Sequence, residues 1–183
     1  MKFSTTIATA ILGFSSSILA APVTQARDNS HLIPDVTSLY HGYGGKIEYA
    51  VPKGKVSRVQ SGNDDISTLV TFYFGSATQG KTCQFNFELN DPGYVINGDN
   101  IDVFRSSQYP TSNSPGWGPP SNYRDVQLGR MKVVAGGSAV PQWGSFQFPC
   151  PTGQSKGFEV TPTGDKMSVE WVAGVDGPWI SYW

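Results

Sequence analysis

Apolar and polar side chains alternate with a period of two over most of the chain's hydrophobic stretches. Between Lys81 and Leu89, the residues Cys83, Phe85, Phe87 and Leu89 fall on one side, and Gln84, Asn86 and Glu88 on the other. A pleated strand with one buried face produces this pattern. Met167 to Ala173 repeats it, with Met167, Val169, Trp171 and Ala173 facing inward and Ser168 and Glu170 outward. Phe146, Phe148 and Cys150 follow the same rule, and so do Phe158 and Val160. Further strands are predicted over 46–51, 66–74, 101–105, 126–134 and 179–183, roughly nine or ten in all. Past the N-terminal region the longest run without Gly or Pro is 63–74, and it is rich in Thr, Val, Ile and aromatics. These residue types lose side-chain freedom in a helix and pack well on a sheet, so no long helix is expected.

Turn chemistry favours antiparallel pairing. Asp176-Gly177 reads as a hairpin dipeptide, because both residue types accept positive φ. Pro162-Thr163-Gly164-Asp165 reads as a second short turn, so the last three strands are expected to form a meander. Gly129, inside the 126–134 strand, is expected to mark a bulge. Sheets that are apolar on one face must bury those faces against each other. The predicted fold is therefore all-β, an antiparallel, jelly-roll-like β-sandwich, with a β-barrel as the alternative. Gly (21) and Pro (13) make up almost a fifth of the 183 residues, which fits a chain of many short strands and turns.

The N-terminus changes the picture of where the domain works. Met1-Lys2 is a short basic start, and 6–19 is apolar or small throughout. Ile18-Leu19-Ala20 followed by Ala21-Pro22 then offers a cleavage point after Ala20. The expected organisation is a signal peptide over 1–20, an N-terminal extension that is processed or flexible over 21–45, with a second cut conceivable at Arg27, and a β-sandwich over 46–183. Export implies an oxidising compartment, where the two cysteines most simply pair with each other. A Cys83–Cys150 bond spans 67 positions and would contribute about 4 kcal/mol in the chain-entropy model. No Asn-x-Ser/Thr acceptor with a permitted middle residue is present. Thirteen basic and 14 acidic residues give a formal charge of −1 with no basic stripe, so no nucleic-acid partner is expected. Past the N-terminus no run is long enough to cross a bilayer, and no membrane partner is expected.

An ordered series of short motifs carries a resemblance. Lys81-Thr82-Cys83 with Phe85 and Phe87 is followed by Ile101-Asp102-Val103-Phe104, and then by Trp117 with Pro119 and Pro120. Next come Leu128-Gly129-Arg130, Phe148-Pro149-Cys150-Pro151 with Gly153, Phe158-Glu159-Val160, Val169-Glu170-Trp171 and Trp179-Ile180. Over about residues 47–183 the chain resembles the fungal But-two C-terminal domain family, named after a protein that binds the activating enzyme of a ubiquitin-like modifier. The resemblance implies a β-rich domain of secreted or wall-associated fungal proteins. It carries no catalytic residues over, and the cytosolic partner behind the family name conflicts with the export signal.

Candidate chemistry is sparse. The only histidines, His31 and His41, precede the first predicted strand. That placement argues against a Ser-His-Asp arrangement and a zinc site, and neither metal nor cofactor is expected. A copper monooxygenase that uses its N-terminal amine would need His at the mature first position, where cleavage exposes Ala21. Asn97, Asp99, Asn100 and Asp102 cluster oxygens of a kind calcium could use, and are read as a turn. Glu88 and Glu170 sit at outward strand positions. They are read as a solvated face, the alternative being a polysaccharide hydrolase with a carboxylate pair.

The segment 106–125 stands out, with Tyr109, Trp117 and Tyr123 among Ser, Asn, Gly and Pro, and with Arg124 and Asp125 beside them. Rings on a rigid loop offer faces on which sugars can stack, although a loop tryptophan can equally fold back as a cover. Tyr109, Trp117, Tyr123 and Arg124 are thus the candidate ligand-binding residues of a secreted, non-catalytic module, extracellular or attached to the cell wall. The expected ligand is polysaccharide or another wall component, with a structural or protein-interaction domain as the rival reading.

Overall fold

The computed structural model describes residues 30–59, 64–118 and 121–183. The expected export signal, its cleavage point, Arg27 and the Pro119-Pro120 pair lie outside them. Every paired strand among the described residues is antiparallel apart from isolated bridges, and the strands form two sheets. The smaller sheet runs β1 (His31–Leu32), β14 (Gly177–Tyr182), β6 (Thr82–Leu89), β11 (Gln147–Pro149), with β9 (Gly137–Ser138) also on β6. The larger runs β10 (Val140–Gly144), β8 (Tyr123–Lys132), β7 (Asn100–Gln108), β12 (Gln154–Pro162), β5 (Ile66–Phe74), β2 (Val36–His41), β3 (Lys46–Glu48). β4 (Lys53–Arg58) joins β5 through one pair and carries β13 (Met167–Val172). The sheets stay open, so the molecule is a sandwich and not the barrel alternative.

Period-two burial builds the core. Cys83, Phe85, Phe87 and Leu89 of β6 meet Val70, Phe72 and Phe74 of β5 and Phe158 and Val160 of β12. Phe158 sits at the centre, with ring centroids 5.8 Å from Phe72, 5.3 Å from Phe85 and 5.6 Å from Phe148. Cys83 and Cys150 are bonded, with Cα atoms 5.1 Å apart. β11 lies beside β6 with Phe148 opposite Cys83, and that register brings the two sulfurs together.

Two features depart from the sequence pattern and a third follows it. The sheets reach back to His31. β1 pairs with β14 and β2 with β5, so the folded unit includes residues that the pattern leaves in an extension. β2 shows no two-residue burial alternation, and its place in the sheet comes from pairing with β5. Second, the last three strands do not form a meander: β12 pairs with β5 and β7, β13 with β4, and β14 with β6. Asp176-Gly177 is a corner between sheets and not a hairpin. The buried Asp176 carboxylate accepts from the Asn90 backbone N–H (2.9 Å), the Asn90 side-chain amide (2.8 Å) and the Tyr94 hydroxyl (2.6 Å). The Trp171 ring occupies the space inside that corner. A Cβ at Gly177 would lie 2.0 Å from its Nε1 and one at Gly54 2.2 Å from its Cε2, so both neighbours of the indole must be glycine. Third, the expected bulge at Gly129 is present: β7 pairs Val103 with Gly129 and then Phe104 with Gln127, leaving Leu128 over.

Candidate functional site

The outer face of the larger sheet is where polar residues of an otherwise apolar set of strands converge. In β12, Phe158 and Val160 point into the core, so Gly157, Glu159 and Thr161 face outward. Register sets Glu159 opposite Phe104 of β7 and Leu69 of β5, and sets Thr161 opposite Asp102. Asp102 in turn faces Arg130 of β8, while Ser67 of β5 faces Tyr40 of β2. Tyr40, Ser67, Thr161, Asp102, Phe104 and Arg130 line a groove of about 460 Å³ across the strands, with Glu159 buried beneath its edge. Arg58, Asp65 and the turn through Thr163 and Gly164 form one of its walls.

Three guanidinium–carboxylate pairs organise the groove. Arg124 donates from Nε (3.0 Å) and Nη2 (2.6 Å) to the two oxygens of Glu159, whose side chain is completely buried. The Ser67 hydroxyl adds a third bond at 2.6 Å. Arg130 grips Asp102 in the same two-pronged way, at 2.8 and 3.0 Å. The carboxylate beside it raises the Arg130 guanidinium still further above its ordinary value, so it keeps its charge. Arg58 donates to Asp65 at 2.7 Å and to the Gly164 carbonyl at 3.2 Å. Arg124 lies over the Phe104 ring at 4.4 Å, which holds its plane.

After β7, residues 109–118 approach this face. They reach the β2–β3 turn, where the Trp117 backbone N–H donates to the Gly45 carbonyl at 3.2 Å. The Trp117 ring sits between Tyr123 (5.9 Å) and Tyr40 (6.4 Å), yet 44% of the residue remains exposed. The tryptophan is anchored on one side and open on the other.

The predicted residues are thus partly brought together. Trp117 and Tyr123 touch, and Arg124, next to Tyr123, lines the groove. Tyr109 does not join them: it packs over Gly157, where a Cβ would fall 2.9 Å from its own Cβ. Arg124 and Asp125 are not a local ion pair, since adjacent strand residues face opposite ways; Asp125 instead faces Arg105 at 3.8 Å. Tyr40, Phe104, Arg130 and Glu159 are not among the site residues that the sequence predicts, and Asp102, expected only within an oxygen-rich turn, is here the partner of Arg130. The available signal was Glu159 itself, an acid between two core residues, Phe158 and Val160. Elsewhere, Glu170 pairs with Lys53 at 2.7 Å, which lowers its carboxyl below the ordinary value, and Glu88 lies on the other sheet near Asn90. Neither lines the groove. Asp99 faces Lys132 at 3.2 Å and Asp102 is held by Arg130. Among the described residues no three His, Cys, Asp or Glu side chains are grouped to hold a metal ion.

The family model described as the ubiquitin 3 binding protein But2 C-terminal domain matches residues 47–176. The chain belongs to the But2 C-terminal domain family. No curated protein matches it. The But2 match takes in both cysteines, Trp117, Tyr123 and all three guanidinium–carboxylate pairs. It begins after Tyr40 and Gly42, so these two residues of the groove lining lie outside the matched segment.

Proposed function

We propose that this But2-family chain is a secreted, non-catalytic module that binds polysaccharide, such as a cell-wall component, with Trp117 and its groove as the binding surface. One observation carries the reading: a half-exposed tryptophan, braced by two tyrosines, stands beside a polar groove on the outer face of a rigid sandwich. Sugar-binding sites combine a flat apolar face for the ring with fixed polar groups for its hydroxyls. The basic N-terminus, the apolar stretch that follows it and the paired cysteines support an extracellular setting. Against a hydrolase, both oxygens of Glu159 and of Asp102 already accept bonds from an arginine, which leaves neither placed to hand a proton to a leaving group.

Pull-down on insoluble chitin, β-glucan and cellulose tests the proposal. Wild type should be retained on at least one of them, and Trp117→Ala should weaken retention by roughly tenfold or more, about 1.4 kcal/mol, with unchanged thermal unfolding. Retention on none would overturn it and favour a second reading, a protein-interaction domain, which the family's description as the C-terminal domain of a ubiquitin 3 binding protein supports. Release of reducing sugar by wild type would instead favour the hydrolase.

A further inference from the structure

We infer that the groove takes an extended segment of an uncharged glycan rich in hydrogen-bond acceptors, and discriminates against acidic polysaccharides. This rests on the polysaccharide reading above and specifies its ligand. The first argument is charge. Three guanidiniums stand in the groove, and each is matched by a carboxylate: Arg124 by Glu159, Arg130 by Asp102, Arg58 by Asp65. A sulfate or carboxylate on a sugar ring would have to compete with a carboxylate already seated. At Arg124 it would strip the partner from Glu159, which has no exposure to water. A cationic sugar would find each of these three carboxylates already occupied by a guanidinium.

The second argument is the count of donors. A guanidinium has five N–H groups in a fixed fork. Arg124 and Arg130 each spend two on their carboxylate, which leaves three apiece. These planes are pre-set by the carboxylates and, for Arg124, by the Phe104 ring 4.4 Å beneath it, so little side-chain freedom is lost when they bind. Neutral hydroxyl, ether and amide oxygens are the partners that accept such donors without disturbing the ion pairs.

The third argument is shape. Tyr40 and Ser67, then Thr161, Asp102 and Arg130, follow one another across β2, β5, β12, β7 and β8. Four strand spacings give about 19 Å. That is a path for a short run of linked sugars and not for a single ring.

Affinity electrophoresis of the full chain against laminarin, soluble chitin oligomers, polygalacturonate and alginate tests this. Binding to laminarin or chitin oligomers is expected, changing by less than about twofold between about 50 and 500 mM NaCl, since no counterion-dependent contact forms. Arg130→Gln should weaken it about tenfold or more. Arg130→Lys should not restore it, because a point charge does not reproduce the fork. Binding confined to the acidic polymers and weakening with salt overturns the inference, as does full binding by Arg130→Lys. If such acidic-polymer binding is lost in Trp117→Ala, the polysaccharide reading survives without the neutral-ligand inference. If no polymer is bound, both fall. The polymer and salt comparisons use wild type alone, so they stand even if an arginine variant fails to fold.

Discussion

Arg124→Met is the most informative single change, because it separates a buried ion pair from an ornamental one. Glu159 is fully buried, and its neighbours across the sheet are Leu69 and Phe104. Without Arg124 the carboxylate keeps only the Ser67 hydroxyl. Removing one partner of a buried pair costs about 3–5 kcal/mol. Arg124 is itself about a third exposed, with its side chain at 34%, so water can enter behind it and the low end, about 3 kcal/mol, applies. At about 2–4 °C per kcal/mol for a domain of this size, the melting temperature should fall by about 6–12 °C. Glu159→Gln should cost less, about 1–2 kcal/mol, since the amide keeps one bond and the guanidinium can turn to solvent.

The double variant Arg124→Met/Glu159→Leu removes both charges. It should lie within about 2 kcal/mol of wild type, the residual being the unpartnered Ser67 hydroxyl and imperfect packing. Urea unfolding of the oxidised protein, followed by tryptophan fluorescence, reads these values from midpoints at constant m. The reasoning is refuted if Arg124→Met costs under about 1 kcal/mol, or if the double variant costs the sum of Arg124→Met and Glu159→Leu measured singly. The recovered double variant should also bind glycan more weakly, because stability and the groove's donors depend on the same arginine in different ways.

Gly54→Ala should destabilise by about 3 kcal/mol through overpacking against Trp171, and in a Trp171→Leu background the same change should cost under about 1 kcal/mol. Gly177→Ala should stay costly in both backgrounds, because its φ of +88° disfavours any side chain; equilibrium unfolding measures all four. Replacing both Cys83 and Cys150 by Ala should lower stability by about 4 kcal/mol, read from the urea midpoint. Burial, with the hydrogen bond to Asp176 second, pushes the Tyr94 hydroxyl up to about 12 from 10.0. A proton held more tightly when folded contributes stability that is complete below pH 10 and is lost as pH rises toward 12. Tyr94→Phe should flatten that alkaline limb, and a wild-type stability curve flat between pH 10 and 12 would exclude the linkage.

The strands that bury one face were legible because two-residue periodicity is local: Cys83, Phe85, Phe87 and Leu89 need only the pleat to share a side. The disulfide was legible for a similar reason, as two inward-facing cysteines with no competitor. Strands with weak contrast were not. Val36–His41 and Lys53–Arg58 carry little alternation, and their burial comes from neighbours far away in the chain. Asp176-Gly177 misled because the dipeptide specifies a bend, whereas the strand that follows is chosen by which sheet edge is open and by Trp171 filling the corner.

The site divides along the same line. Trp117, Tyr123 and Arg124 announce themselves by crowding into one loop and strand start. Tyr40, Asp102, Arg130 and Glu159 come from four strands whose outward positions become neighbours only when β2, β5, β12, β7 and β8 lie side by side. Side-chain alternation is a property of the single chain and can be read along it. Which outward side chains meet is set by strand order and register, and those follow from the packing of the whole sandwich.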